Sequence, residues 1–421
     1  MNGAPLSFCM VTTFYPPHNF GGDGIYVHRL SNELAARGHE VTVVSTPDAH
    51  ELLGGSSRDA PNEHENVNLA PLSSRHGRLS PLVTYLSGRP GLRAPQLREL
   101  FQRRRFDVVH FHNVSLVGGP GVLSYGEGVK LYTTHEHWLV CPMHTLWRLD
   151  REPCERPTCL RCTLAYRRPP QLWRYTGLLG RQAEEIDLFL APSLFTLEAH
   201  KKRGFRGAMV HLPHFFPLDD AGEGQSNTER PLDRPYFLVV GRLERLKGVQ
   251  TLIEAFRHYD AADLVVVGEG TYGAELRRQA AELRHIRFLG HLPSDSLNEL
   301  YGGAIALIAP SIGYETFGMT PIEAFARGTP AIVRDLGGLP EVVNESGGGF
   351  IYRTHDELVQ AMEALRSQPG LRTELGERGY RGFRERWSPE PHLRAYFDFI
   401  DQVAERRAMR PRALLHREGE G

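Results

Sequence analysis

The chain predicts an α/β protein of two doubly wound, mostly parallel sheets, and three observations carry that prediction. Short β-branched runs alternate with segments of helical spacing, which implies a parallel sheet covered by helices. The alternation is interrupted by a polar stretch at 217–235 and then restarts. Finally, 421 residues, 41% of them hydrophobic, exceed what one core usually organises.

In the first half, Phe8-Cys9-Met10-Val11 reads as a strand ending in a Pro- and Gly-rich loop, followed by a helix over 25–36 closed by Gly38. Further strands are expected at 41–44, 107–111 and 130–134. The second half repeats the rhythm: strands at 236–240 and 263–267, a helix over 249–256 between them, then strands at 286–289 and 304–309. The expected boundaries are an N-terminal domain at 1–217, a C-terminal domain at 218–386 and a final helix with a basic tail at 387–421.

Lys plus Arg number 49 against 50 for Asp plus Glu, a net charge of −1, which argues against a dedicated polyanion binder. The first eleven residues lack the basic and apolar regions of a secretion leader, so a cytoplasmic protein is expected. The uncharged run 108–125 contains histidines, Asn113, Pro120 and several glycines, a poor composition for a membrane span.

The sharpest pattern follows the strand at 304–309: Glu315 and Glu323 stand eight residues apart across a loop and the start of a helix. With Pro321 at the first helical position, Thr320 would be the N-cap and both carboxylates would border one crevice, where free backbone amides favour an anion. Thr320-x-x-Glu323 also has the form of a capping box, a purely structural alternative. After the strand at 236–240, Gly241-Arg242 and Lys247-Gly248 place two cations where a diphosphate would be neutralised. Gly21 and Gly22, between the first strand and its helix, allow close backbone approach to a ligand.

These segments, with Gly38-His39-Glu40-Val41, Gly268-Glu269-Gly270 and Glu315-Thr316-Phe317-Gly318, resemble the retaining GT-B glycosyltransferases of family GT4 over nearly the whole chain. The resemblance implies two Rossmann-like domains facing a central cleft and a C-terminal helix crossing back to the first domain. It implies a nucleoside-diphosphate sugar donor, UDP- or GDP-linked, and transfer to a hydroxyl acceptor on a glycan, a lipid carrier or a small molecule. A sugar-nucleotide epimerase of the same fold is the enzymatic alternative. Carried over by position, Arg242 and Lys247 would grip the diphosphate, Glu323 the ribose and Glu315 the donor-sugar hydroxyls. The amides of Phe317, Gly318, Met319 and Thr320 would contact sugar and phosphate, and His291 with Leu292 would seat the base. His135 would lie beside the reacting sugar carbon. The aligned loop commonly has an apolar residue where this chain has Asp23. No catalytic metal is expected, and nothing in the residues selects an oligomeric state.

Four of the five cysteines, Cys141, Cys154, Cys159 and Cys162, fall in one insertion at 141–162. In a reducing compartment their spacing favours a structural zinc site, with reduced thiols or two disulfides as the alternatives. Gly268-x-Gly270-x-x-Gly273 meets a bare dinucleotide fingerprint, but no acidic residue ends the next strand, so it is read as a decoy. The mixture of Tyr166, Arg167, Arg168, Trp173 and Arg174 is read as acceptor or peripheral membrane contact in preference to a zinc-knuckle nucleic-acid module.

Overall fold

The computed structural model describes residues 4–55, 62–217 and 232–409. Most of the expected linker at 217–235 and most of the basic tail lie outside the described residues. The first unit is a seven-stranded sheet of β1 (Ser7–Val11), β2 (Glu40–Ser45), β3 (Val67–Pro71), β4 (Val108–Phe111), β5 (Val129–Thr133), β6 (Leu188–Ala191) and β7 (Met209–His211). They lie in the order β3-β2-β1-β4-β5-β6-β7, every pair parallel. The second sheet comprises β8 (Tyr236–Val240), β9 (Asp263–Val267), β10 (Ile286–Gly290), β11 (Ala306–Ala309), β12 (Ala331–Arg334) and β13 (Gly349–Tyr352). Its order is β10-β9-β8-β11-β12-β13, again parallel throughout.

The strands are apolar runs because helices cover both faces. Phe8, Cys9, Met10 and Val11 are all fully buried, with Phe8 and Met10 in one core cluster and Cys9 and Val11 in another. In each sheet the strand order reverses beside the first strand of its unit, between β1 and β4 and between β8 and β11. The loops leaving β1 and β8 therefore open into the crevice at a topological switch point. The first leads into α1 (Gly22–Ala36) and the second into α2 (Val249–Phe256).

The last helix, Pro389–Met409, joins the two units. Just ahead of it, Trp387 is buried in the second unit against Phe325, with ring centroids 6.1 Å apart. Leu393, Tyr396, Ile400 and Val403 recur at helical spacing and enter the core of the first unit beside Phe8, Met10 and Tyr26. Burying each such side chain favours docking by about 1.5–3 kcal/mol. The chain thus crosses back to the domain where it began, as expected. Among the described residues no helix is long and apolar enough to cross a membrane.

Candidate active site

A cleft of about 360 Å³ separates the two units, and the carboxyl ends of their strands supply its walls. From the first unit come Gly21, Gly22, Asp23, His135 and His214; from the second come Arg242, Lys247, Glu315, Phe317, Thr320 and Glu323, among others. Most residues singled out in the sequence therefore share one cavity. Met319 also lines it.

The local backbone explains the convergence. Gly241 leaves β8 at φ 148°, a conformation open to glycine, and swings the chain toward the cleft. A short 3-10 turn, Arg245–Lys247, then carries Lys247 toward the loop after β11. There Lys247 Nζ donates to both oxygens of Glu315, at 2.7 and 2.9 Å, and Ser311 Oγ donates to Oε1 at 2.5 Å. Arg242 is more exposed and holds Glu244 at 2.9 Å, so its guanidinium stands at the mouth.

Glu323 differs from the capping-box alternative. The helix begins two residues earlier than expected, at Met319–Phe325, which we label α3 in this unit, with Gly318 as its N-cap and no side-chain cap. Thr320 and Pro321 consequently lie inside the first turn. The Glu323 carboxylate turns instead to Tyr301, whose hydroxyl donates at 2.9 Å, and to Arg29 of the first unit at 3.8 Å. Its capping capacity is unused, and one side of the carboxylate faces the cleft.

His135 is held in an unexpected way. Its Nε2 is hydrogen-bonded to His112 Nδ1 at 3.0 Å and its Nδ1 to His214 Nε2 at 3.2 Å. Its carbonyl oxygen accepts from Thr316 Oγ1 of the opposite unit at 2.9 Å. Burial pushes the imidazole down to about 3, and His112 and His214 are lowered as well, so all three rings are neutral near pH 7. Sequence reasoning missed His112 and His214; the signal was a histidine at the C-terminal end of a strand, repeated after β4 and β7. Asp23, in the glycine loop, accepts from Asn113 Nδ2 at 3.1 Å and from the Gly24 amide at 2.9 Å. Burial and nearby Glu136 raise its carboxyl.

Three expectations are placed elsewhere. His291 and Leu292 follow β10 but do not line the cleft; Leu292 packs on the core around Tyr236 and Tyr301. Gly318 also stays out of the lining, and a Cβ there would meet Val342 at 2.9 Å.

The zinc expectation is corrected. All five cysteines are free thiols, and among the described residues no group of three or more His, Cys, Asp or Glu side chains could hold a metal. Cys141 and Cys162 are buried in an apolar cluster with Met143 and Leu146. Burial pushes the Cys141, Cys154 and Cys159 thiols up. The insertion is instead held by side-chain packing and hydrogen bonds such as Tyr166 Oη to the Trp147 carbonyl, 3.0 Å.

The dinucleotide fingerprint has a packing cause. A Cβ on Gly268 would fall 1.9 Å from the Gly241 carbonyl oxygen, and one on Gly270 would fall 2.5 Å from that of Leu243. These glycines let the loop after β9 lie against the loop after β8.

Comparison with known proteins agrees with this geometry. Residues 20–220 match the family model described as Glycosyltransferase Family 4, and residues 223–382 the one described as Glycosyl transferases group 1. A glycogen synthase of Mycobacterium tuberculosis is 31% identical over 361 residues, covering 80% of this chain and 80% of its own. A D-inositol 3-phosphate glycosyltransferase of Kribbella flavida is 27% identical, covering 85% of each chain. Among solved structures, sucrose-phosphate synthase from Thermosynechococcus elongatus superimposes with a TM-score of 0.70 at 19% identity, covering 95% of this chain and all of its own. HepE of Anabaena, solved with UDP-glucose, gives 0.64 at 16% identity, covering 96% of this chain and 99% of its own. With two parallel Rossmann-like domains, a returning C-terminal helix and this degree of likeness, the chain belongs to the group 1, family 4 glycosyltransferases of the GT-B fold.

Proposed function

We propose that the protein transfers a hexosyl group from a nucleoside-diphosphate sugar, UDP-linked in preference to GDP-linked, to a hydroxyl acceptor with retention of anomeric configuration. The observation that carries this reading is the convergence of Lys247, Arg242, Glu315 and Glu323 on one cleft whose far wall is Gly21-Gly22. The preference for UDP rests on the UDP and UDP-glucose complexes of HepE.

In this reading Lys247 and Arg242 neutralise the diphosphate and Glu323 accepts from ribose hydroxyls. Glu315 accepts from hydroxyls of the transferred sugar. The bond from the anomeric carbon to the phosphate oxygen breaks through an oxocarbenium-like state. The acceptor oxygen attacks from the same face, and its proton passes to the departing phosphate. Stabilising the leaving charge is the main catalytic task, supplied by the two cations and the amides at the start of α3. His135, neutral and held on both ring nitrogens, shapes the acceptor-side wall without carrying charge. The activity would draw on a cytoplasmic nucleotide-sugar pool.

Thermal-shift and calorimetric screening of UDP- and GDP-sugars tests the reading, followed by NMR assignment of the anomeric product. Binding of a UDP-sugar, weakened by Lys247→Ala and Glu323→Ala, supports it. Conversion of the donor with no acceptor present would replace it with the epimerase alternative.

A further inference from the structure

Away from the cleft, two segments of the first unit differ in charge from the rest of the chain. Residues 75–105 and 156–181 together hold fourteen arginines and one acidic residue, Glu99, a formal charge of +13 in a chain whose total is −1. The same segments expose large apolar side chains. Leu79, Val83 and Leu86 lie at helical spacing on the outward face of the helix Leu79–Ser87, Leu92 follows in the next turn, and Leu172 and Tyr175 project from the 3-10 turn Leu172–Tyr175. Leu79 is 59% exposed and Leu172 66%, and it is their grouping with the other exposed apolar side chains that distinguishes this face.

The two segments form one surface. Tyr85 Oη donates to the Pro169 carbonyl at 3.0 Å, and Trp173 Nε1 donates to the Tyr85 carbonyl at 2.9 Å. The helix Leu79–Ser87 is amphipathic in the outward sense: Ser80, Pro81, Thr84 and Tyr85 are buried while Leu79, Val83 and Leu86 face solvent. The same two segments carry Arg75, Arg78, Arg89, Arg98, Arg167 and Arg168, all exposed, and no ion pair joins any of these six to a carboxylate among the described residues. Behind the helix, Tyr85 packs with Phe14 and Leu116, and Phe20 of the glycine loop rests on that cluster. The surface thus backs the cleft wall that carries Gly21 and Gly22.

We propose that this face docks on an anionic lipid bilayer, the arginines binding headgroup phosphates and the aliphatic side chains entering the interface. The charge selects the partner. A second copy of the chain would bring a like-charged face against it, and single-stranded nucleic acid, which also satisfies arginines, has no use for five exposed aliphatic side chains. Docking here would hold the mouth of the cleft beside the membrane surface.

Co-sedimentation of the full chain with vesicles tests this, without any nucleotide present. Vesicles of phosphatidylglycerol and phosphatidylcholine should bind the protein at about 50 mM salt and release it at about 500 mM, and pure phosphatidylcholine should not bind it. Arg78→Glu with Arg168→Glu should lower the partition coefficient at least about tenfold, since each change loses an attraction and adds a repulsion. Leu79→Ser with Leu172→Ser should also weaken it, and because all four sites are exposed, melting temperatures should be unchanged. Equal binding to neutral vesicles, no binding at low salt, unchanged binding by both double variants, or capture by poly(U) without vesicle binding would overturn the proposal. Lys247→Ala should sediment like the unmodified protein, so failure here is distinguishable from failure of the transfer reading.

Discussion

Lys247 Nζ lies 2.7 and 2.9 Å from the two carboxylate oxygens of Glu315, so the cation proposed for the diphosphate and the carboxylate proposed for the sugar hydroxyls neutralise one another. A ligand that takes the lysine must separate that pair. Glu315→Gln removes the competitor but keeps the shape, so the affinity for UDP alone should rise about two- to fivefold, while turnover of a UDP-sugar falls. Lys247→Ala should instead weaken UDP binding about tenfold or more, the loss of one charge-assisted contact. Isothermal titration of both variants with UDP checks the opposite signs; equal losses would mean that the pair acts as a structural unit.

The units are also joined by polar contacts across the cleft. Glu341 accepts from the amides of Leu194 and Phe195, at 2.8 and 2.6 Å, at the N-terminus of the helix Leu194–Lys202 in the other unit. A carboxylate there is favoured by the free amides and the helix dipole. Thr196 Oγ1 adds a bond to the Thr316 carbonyl, 3.1 Å. Glu341→Ala should therefore loosen closure while leaving each domain folded: a larger radius of gyration by small-angle scattering and a severalfold higher KM for the donor. A melting temperature lowered by much more than a few degrees, with unchanged KM, would assign Glu341 to folding instead.

The buried histidines make stability depend on acid. His135 is held down to about 3 and His392 to about 4 by burial, and His110, His112 and His214 are lowered in the same direction. The unfolded chain takes up these protons near pH 6.5 and the folded chain does not, so the stabilisation is complete above pH 6.5 and is lost as pH falls toward the folded values. Each such histidine costs about 1.4 kcal/mol per pH unit within that window. Urea midpoints should be flat from pH 8 to 7 and drop steeply between about 6.5 and 5. Replacing His112 by Asn should make the drop shallower.

Much of this architecture was legible because long β-branched runs have few alternatives to a buried parallel strand, as with residues 236–240 and 263–267. Five strands of the two parallel sheets were not foreseen: Met209–His211 spans three residues, Gly349–Tyr352 follows two glycines and Val67–Pro71 is weakly apolar, whereas Leu188–Ala191 and Ala331–Arg334 are apolar runs of four residues whose length alone does not separate strand from buried helix. The site was readable where chemistry is tied to spacing, as for Glu315 and Glu323. It was not readable where partners meet only in space. Tyr301 reaching Glu323, and His112 and His214 bracketing His135, join residues 22 to 79 positions apart. The cysteine cluster misled because proximity in sequence says nothing of whether sulfur atoms face a shared ion or an apolar interior.

Tyr301 gives the last test, because it is buried and its hydroxyl is spent on Glu323 Oε2. Tyr301→Phe keeps the packing and removes one hydrogen bond to a carboxylate, a stability cost of about 1–2 kcal/mol. If Glu323 accepts from the ribose, it must be aimed, and the variant should bind UDP a few-fold more weakly. The sharper comparison uses 2′,3′-dideoxy-UDP. The unmodified protein should bind UDP at least about tenfold more tightly than the dideoxy analogue, because the analogue leaves a carboxylate without donors. Tyr301→Phe should narrow that ratio and Glu323→Ala should abolish it. A ratio unchanged in Glu323→Ala would place the nucleoside elsewhere in the cleft and leave Glu323 as a partner of Tyr301 and Arg29 alone.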